Sequence, residues 1–387
     1  MSMKRRDFLS AIPVIGSGVL ATSYLSQAFA QKGDGEDSPL LVGCTAAMTG
    51  PLGGFGIEMK LGVDAAVKQI NAKGGINGRP LKYEVLDDGY VPDRAVENAR
   101  KLIASPKVVA LMGCLGTPTN AAITPLIEAA GLPHLAPLTG ASSLRKAELK
   151  NVFHLRASYT DEITRLVHNL VSMGIRDLAI VYLDNPYGKE LAEDAKRALA
   201  SSGIVNPTLV PLAVDGKTMA QTVSATLAAK SSAVLLCTAG AATTGLVAQL
   251  KKASPSLPIA GVSASFTQDG IKTLGTAAQG IGVTIVYPEA NLSKHLIVRD
   301  YQSAMRGIDQ SFFSNGSLEG YISMRTMADA LQRAGRTISR DKVRQALASI
   351  RNLDLGGFTV DYGSSGARVG SKYVELAVMT GDGRLKV

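Results

Sequence analysis

Tryptophan is missing from this chain, and histidine and cysteine are scarce, with four and three copies in 387 residues. The four histidines, His134, His154, His168 and His295, form no His-Glu-x-x-His or comparable ligand spacing, so no metal site is expected. His134 and His154 fall in strand-like runs and the other two in helical ones, which makes all four structural or surface residues. Cys44, Cys114 and Cys237 show no Cys-x-x-Cys pair, and their odd number leaves at least one thiol free. Cys44 and Cys114 lie near the ends of two strands that can be sheet neighbours, so either a disulfide or two buried thiols fits. Gly-x-Ser-x-Gly and Walker loops are also lacking, which removes the α/β-hydrolase elbow and the nucleotide cradle. After residue 30 no Lys/Arg run exceeds two residues, and no basic stripe with interleaved aromatics appears, so nucleic acid is not a partner. Asp87-Asp88 has the form of an acid/base or metal pair. Neighbours on a strand point to opposite faces, which favours a turn role.

What is present is glycine, forty copies, with 46% apolar and 19% charged residues: a globular chain with many tight turns, too long for one core and organised as two domains. The net charge is +9, and removing the first 30 residues, with three basic residues and one acid, leaves +7. Those 30 residues read as an export signal. Lys4-Arg5-Arg6 is the basic region, Ala11 to Leu25 the apolar stretch and Ala28-Phe29-Ala30 the cleavage site before Gln31. Arg5-Arg6-Asp7-Phe8-Leu9 resembles a twin-arginine signal, with ordinary Sec export the other option. The mature chain is then expected in the periplasm, after a flexible leader over 31–39.

Apolar strands alternate with helical patterns along the rest. Leu40–Thr45, Leu81–Asp87, Val108–Met112, Leu132–Ala136 and Val152–Arg156 are expected strands. A helix precedes Gly74-Gly75, Pro92 opens another, and a third starts with Thr117 near its N-cap. Asn77-Gly78 is a tight turn. The pattern restarts at Leu178–Leu183 and continues through Thr208–Val214, Ala233–Thr238, Ile259–Val262 and Ile281–Tyr287. Helices follow over Leu292–Arg306, Leu318–Arg333 and Arg340–Ile350, then strands at Phe358–Asp361 and Tyr373–Met379. This is an α/β chain of two Rossmann-like lobes with parallel-sheet cores joined by a three-segment hinge. The lobes are placed at 40–157 with 289–362, and at 158–288 with 363–387, crossing near Ser158, Pro288 and Gly363.

Parallel strands ending side by side place their following turns in one crevice, where open α/β sheets bind ligands. Gly113–Ala141 supplies two such turns, and the hydroxyls of Thr117 and Thr139 with free helix-start N–H groups suit a small polar or anionic group. The glycine-rich Met48–Gly56 loop lacks the third glycine of a nucleotide fingerprint, with Met59 in its place, so no cofactor is expected. Phe55 either packs or projects into the cleft.

Several strings occur in order. Met48-Thr49-Gly50-Pro51, Ile70-Asn71-Ala72-Lys73-Gly74-Gly75-Ile76-Asn77-Gly78-Arg79, Asp87-Asp88-x-x-x-Pro92-x-x-Ala95 and Asp184-Asn185-x-Tyr187-Gly188 make the chain from Leu40 to Val387 resemble the leucine/isoleucine/valine-binding branch of periplasmic binding proteins that serve ABC importers. The resemblance implies a non-enzymatic, monomeric solute binder that clamps a small ligand between two lobes and delivers it to an inner-membrane permease. It implies contacts at Phe55, Thr117, Leu138, Thr139 and Gly140 from the first lobe and Tyr187, Ala239 and Ser263 from the second. Amino-acid binders of this family carry an acid where Ser263 stands, and often an aromatic where Ala239 stands. An aromatic or aliphatic carboxylate, or an amide, therefore fits as well as an amino acid. Tyr90 and Gly116 occupy the places of the family's disulfide. A sensor module presenting ligand to a receptor, or an exported α/β enzyme, are the other readings.

Overall fold

The computed structural model describes residues 38–363 and 366–387, all within one compact unit, Glu36–Val387. The signal segment and all of the leader before Ser38 lie outside the described residues. The first sheet is built from β1 (Leu40–Ala46), β2 (Leu81–Asp87), β3 (Val108–Met112), β4 (His134–Leu135) and β5 (Val152–Phe153), with α1 (Gly53–Ala72), α2 (Pro92–Ala104) and α3 (Thr117–Ala130) between the first four. Its order is β2-β1-β3-β4-β5, and every pairing is parallel. β1 and β3 are buried almost throughout, as a sheet covered on both faces requires. Asn77 and Gly78 both take positive φ, 52° and 86°, closing the turn that the Ile76–Arg79 bridge brackets.

The chain then leaves for a second sheet. A Ser158 capping box with Asp161 starts α4 (Tyr159–Ser172). Next come β6 (Leu178–Leu183), α5 (Pro186–Ser201), β7 (Thr208–Leu212), α6 (Met219–Ala228), β8 (Ala233–Cys237), α7 (Ala241–Ala253), β9 (Ile259–Gly261), α8 (Gln268–Leu274) and β10 (Gly282–Ile285). It returns as α9 (Leu296–Arg306), α10 (Asn315–Arg333) and α11 (Arg340–Ala348), of which α9 and α10 cover α1. A two-stranded ribbon of β11 (Leu353–Asp354) and β12 (Thr359–Val360) follows. A last crossing sends β13 (Glu375–Met379) and β14 (Leu385–Lys386) back to the second sheet, ordered β14-β13-β10-β9-β8-β6-β7.

Three differences from the sequence reading have local causes. β13 pairs antiparallel with β10 and β14 antiparallel with β13, so the second sheet is parallel except at this edge, where a Thr380–Arg384 turn reverses the chain. β12 pairs with β11 rather than with either large sheet. The helix expected from Leu292 begins only at Leu296, after His295 in extended conformation.

α1 and α10 cross with their backbones almost touching. A Cβ on Gly62 would sit 1.7 Å from the Ser317 carbonyl oxygen, and one on Gly320 2.1 Å from that of Met59. Glycine at both positions is what lets α10 lie this low, and it brings Asn315, Gly316 and Glu319 to the space between the sheets.

Candidate functional site

The carboxyl ends of β1, β3 and β4 face those of β6, β8 and β9 across a cleft. On the first wall the two turns singled out in the sequence do lie together. Leu115 and Leu138 form a parallel bridge, and the Leu138 N–H donates to the Cys114 carbonyl at 2.9 Å. The Asn120 amide braces the first turn by donating to the carbonyls of Cys114 and Gly116, both at 2.7 Å. Gly116 is the N-cap and Thr117 the first residue of α3. The Thr117 and Thr139 hydroxyls are 2.8 Å apart, and Thr139 Oγ1 also accepts from the Ala141 N–H at 3.2 Å. With Thr139 so engaged, Thr117 presents the group that meets the cleft.

Phe55, Thr117, Leu138, Tyr187, Ala239 and Ser263 line the cleft, three from each wall. Thr139 and Gly140 stand one layer behind. Thr139 is fully buried, and Gly140 seats Tyr159: its carbonyl accepts from the Tyr159 N–H at 2.8 Å, and a Cβ there would meet the ring at 2.6 Å. Phe55 sits in the first turn of α1 rather than in a loop, because the helix begins at Gly53, where a Cβ would approach the Met48 carbonyl to 2.9 Å. Tyr187, in the first turn of α5, packs edge-on to Tyr159 at 5.4 Å and donates weakly to the Thr238 carbonyl at 3.4 Å.

Sequence reasoning passed over the charged part of the wall. Arg156 lies on the first crossing between sheets and is 4% exposed. Its Nη1 donates to Glu319 at 3.4 Å. Its Nη2 donates to Glu162 Oε1 at 3.4 Å and to the Ser263 hydroxyl. The Ser263 N–H donates to Glu162 Oε2 at 2.8 Å, the Thr284 hydroxyl to the same oxygen at 2.6 Å, and the Tyr287 hydroxyl to Glu319 at 3.3 Å. Burial works against the Arg156 charge, but Glu319, then Tyr159 and Glu162, outweigh it and hold the guanidinium protonated. Burial also raises the Glu319 carboxyl, which Arg156 only partly offsets. The one signal in the sequence was an arginine ending the expected strand Val152–Arg156.

The lobes meet along the rims of the cleft. The Ala241 N–H donates to the Pro51 carbonyl at 3.2 Å, the Ser143 hydroxyl to Glu190 at 2.6 Å, and the Lys272 ammonium lies 3.6 Å from the centre of the Phe312 ring. Glu58 of α1 accepts from the Gln268 N–H at the start of α8, at 2.7 Å. Burial pushes the Glu58 carboxyl up to about 7 from an ordinary 4.5, opposed by hydrogen bonds from the Ser314 side chain and the Gln268 backbone. A raised carboxyl means the folded protein holds an extra proton between those values. The stability it contributes is therefore complete below pH 4.5 and lost as pH rises through 7. Glu58→Gln, which keeps the acceptor and loses the charge, is expected to flatten this share of the slope in thermal melts from pH 4.5 to 8. Parallel curves for the two proteins would contradict the assignment.

The remaining expectations find plain structural roles. Asp87 accepts from the Met48 and Gly89 N–H groups and the Thr49 hydroxyl, while Asp88 accepts from Thr45 and the Tyr90 N–H, so the pair serves two separate turns. All three cysteines are buried free thiols. His134 and His154 are buried and His168 is exposed. Among the described residues no group of three or more His, Cys, Asp or Glu is placed to hold a metal, and no helix is long and apolar enough to cross a membrane.

A family model for periplasmic binding protein matches residues 39–381. The chain belongs to the periplasmic binding protein family. That family comprises solute binders working outside the cytoplasm rather than enzymes. Curated relatives include the Leu/Ile/Val-binding protein BraC3 of Rhizobium johnstonii, 29% identical over 49% of this chain and 52% of that protein, and Leu/Ile/Val-binding protein homolog 3 of Brucella melitensis, 23% identical over 84% and 88%. The chain thus spans about half the length of the first relative and most of the second. Among solved structures, a substrate-binding periplasmic protein from Ralstonia solanacearum is 27% identical with a TM-score of 0.84, covering 89% of this chain and 99% of that one. A possible leucine/isoleucine/valine-binding protein from Rhodopirellula baltica is also 27% identical at 0.84, covering 91% and 96%. This family membership agrees with the two-lobe α/β architecture.

Proposed function

We propose that this periplasmic binding protein captures a small carboxylate-bearing or amino-acid-like molecule in the interlobe cleft and hands it to an ABC permease in the inner membrane. The observation that carries the reading is the pairing across the cleft: Thr117 at the start of α3 and Tyr187 at the start of α5 line one cavity from opposite lobes. Helix-start N–H groups and a threonine hydroxyl favour an acceptor group on one side. Phe55 and Tyr187 cover the rest. Ser263, where an acid would meet an ammonium, instead accepts a hydrogen bond from Arg156, so an ammonium is not required of the ligand. The three crossings, near Ser158, Pro288 and Gly363, act as the hinge, dividing 40–157 with 289–362 from 158–288 with 363–387. The protein works as a monomer. The first 30 residues direct it to the periplasm by the twin-arginine route, with cleavage after Ala30.

Hydrogen bonds to charged groups contribute about 1.5–3 kcal/mol each. Thr117→Ala is therefore expected to weaken binding of a carboxylate ligand by roughly 10- to 100-fold in calorimetric titration, with little change in melting temperature. An unchanged affinity would remove Thr117 from the site.

A further inference from the structure

The cleft does not end at Ser263. Beyond it the cavity wall continues into the second lobe as Phe266, Ile271, Val283, Ile285, Met379 and Leu385, contributed by α8 and the turn before it, β10, β13 and β14. This end is apolar throughout, and the antiparallel edge of the second sheet forms its floor. Three of the polar side chains that line the cavity beside it are engaged within the protein. Glu58 accepts from the Gln268 N–H, the Gln268 side chain donates to the Gly383 carbonyl, and the Thr284 hydroxyl donates to Glu162. The head-group residues Thr117 and Tyr187 come from the other end, the turns after β3 and β6. One cavity thus joins a donor-bearing end to an apolar chamber.

We infer that the ligand is a monocarboxylate with an extended apolar tail, alkyl or aryl, and that the tail lies in the chamber between α8 and the β10–β13–β14 edge. This rests on the head-group reading given above and names the ligand class for that site. Apolar surface moved from water into such a chamber gains affinity with every methylene added. A branched-chain amino acid would leave the chamber unused.

The test is a calorimetric series on the full chain with propanoate, pentanoate, octanoate and 3-phenylpropanoate, and with leucine. The expected result is a dissociation constant falling at least tenfold from propanoate to octanoate, with 3-phenylpropanoate also tighter than propanoate. Ile271→Trp fills the chamber and is expected to cut the octanoate-to-propanoate affinity ratio at least tenfold. The wild-type series stands alone if that variant fails to fold. Affinity that is flat or falling with tail length, or leucine binding more tightly than octanoate, would overturn the chamber while leaving the head-group reading in place. No binding by any carboxylate would overturn the head-group reading and the chamber with it.

Discussion

Arg156→Ala is expected to lower the unfolding free energy by about 3–5 kcal/mol, the usual cost of removing one partner from a buried ion pair. The cause is what stays behind. Glu162 is fully buried and Glu319 nearly so, and both face the guanidinium along with the Ser263 hydroxyl. Without Arg156, two carboxylates share a site of low polarity with no cation beside them. Protonation relieves this, so the variant should recover part of its stability as the pH falls from 8 to 5, the reverse of the behaviour expected for a simple cavity. Denaturant unfolding at the two pH values measures both effects. A variant within 1 kcal/mol of wild type, or one equally weakened at both values, would show that the network does not hold the crossing between lobes.

Gly62→Ala is the second large effect, expected to cost about 3 kcal/mol, at the upper end of the range for overpacking. The methyl would lie 1.7 Å from the Ser317 carbonyl oxygen. Neither atom belongs to a flexible side chain, so the only relief is to move α10 away from α1. That movement displaces Asn315 and Glu319 from the cleft wall. Loss of stability should therefore come with weaker ligand binding, whereas Gly74→Ala, at a site with nothing within 4 Å of the new Cβ, strains only its own backbone at φ 94°. Unfolding curves and titrations on both variants separate the two cases. A Gly62→Ala protein with wild-type stability would contradict the close crossing.

How far the molecule was legible from its residues depended on how local each feature is. The sheets were readable because each strand carries its own apolar run between glycine-rich turns, and because parallel strands that follow one another bring their turns together. Thr117 and Thr139 are 22 residues apart, and adjacent strand ends place them in one crevice; their hydroxyls are 2.8 Å apart. Asn77-Gly78 was readable because its backbone conformation suits few other pairs. The Arg156 network was hidden because its carboxylates come from positions 162 and 319, joined only after α10 returns to cover the first lobe. α8 has seven residues, too few to show a period, and β14 has two. The apolar chamber is built from both of these, so the far end of the cleft left no mark in the pattern.

The two lobes are expected to close on a small acceptor-bearing molecule without altering it chemically. Small-angle scattering of the purified protein, stripped of ligand and then titrated with the best-binding carboxylate, tests it most directly. A smaller radius of gyration in the bound state and unaltered ligand recovered on release are expected. Superimposable profiles with and without a ligand that calorimetry shows to be bound would contradict it.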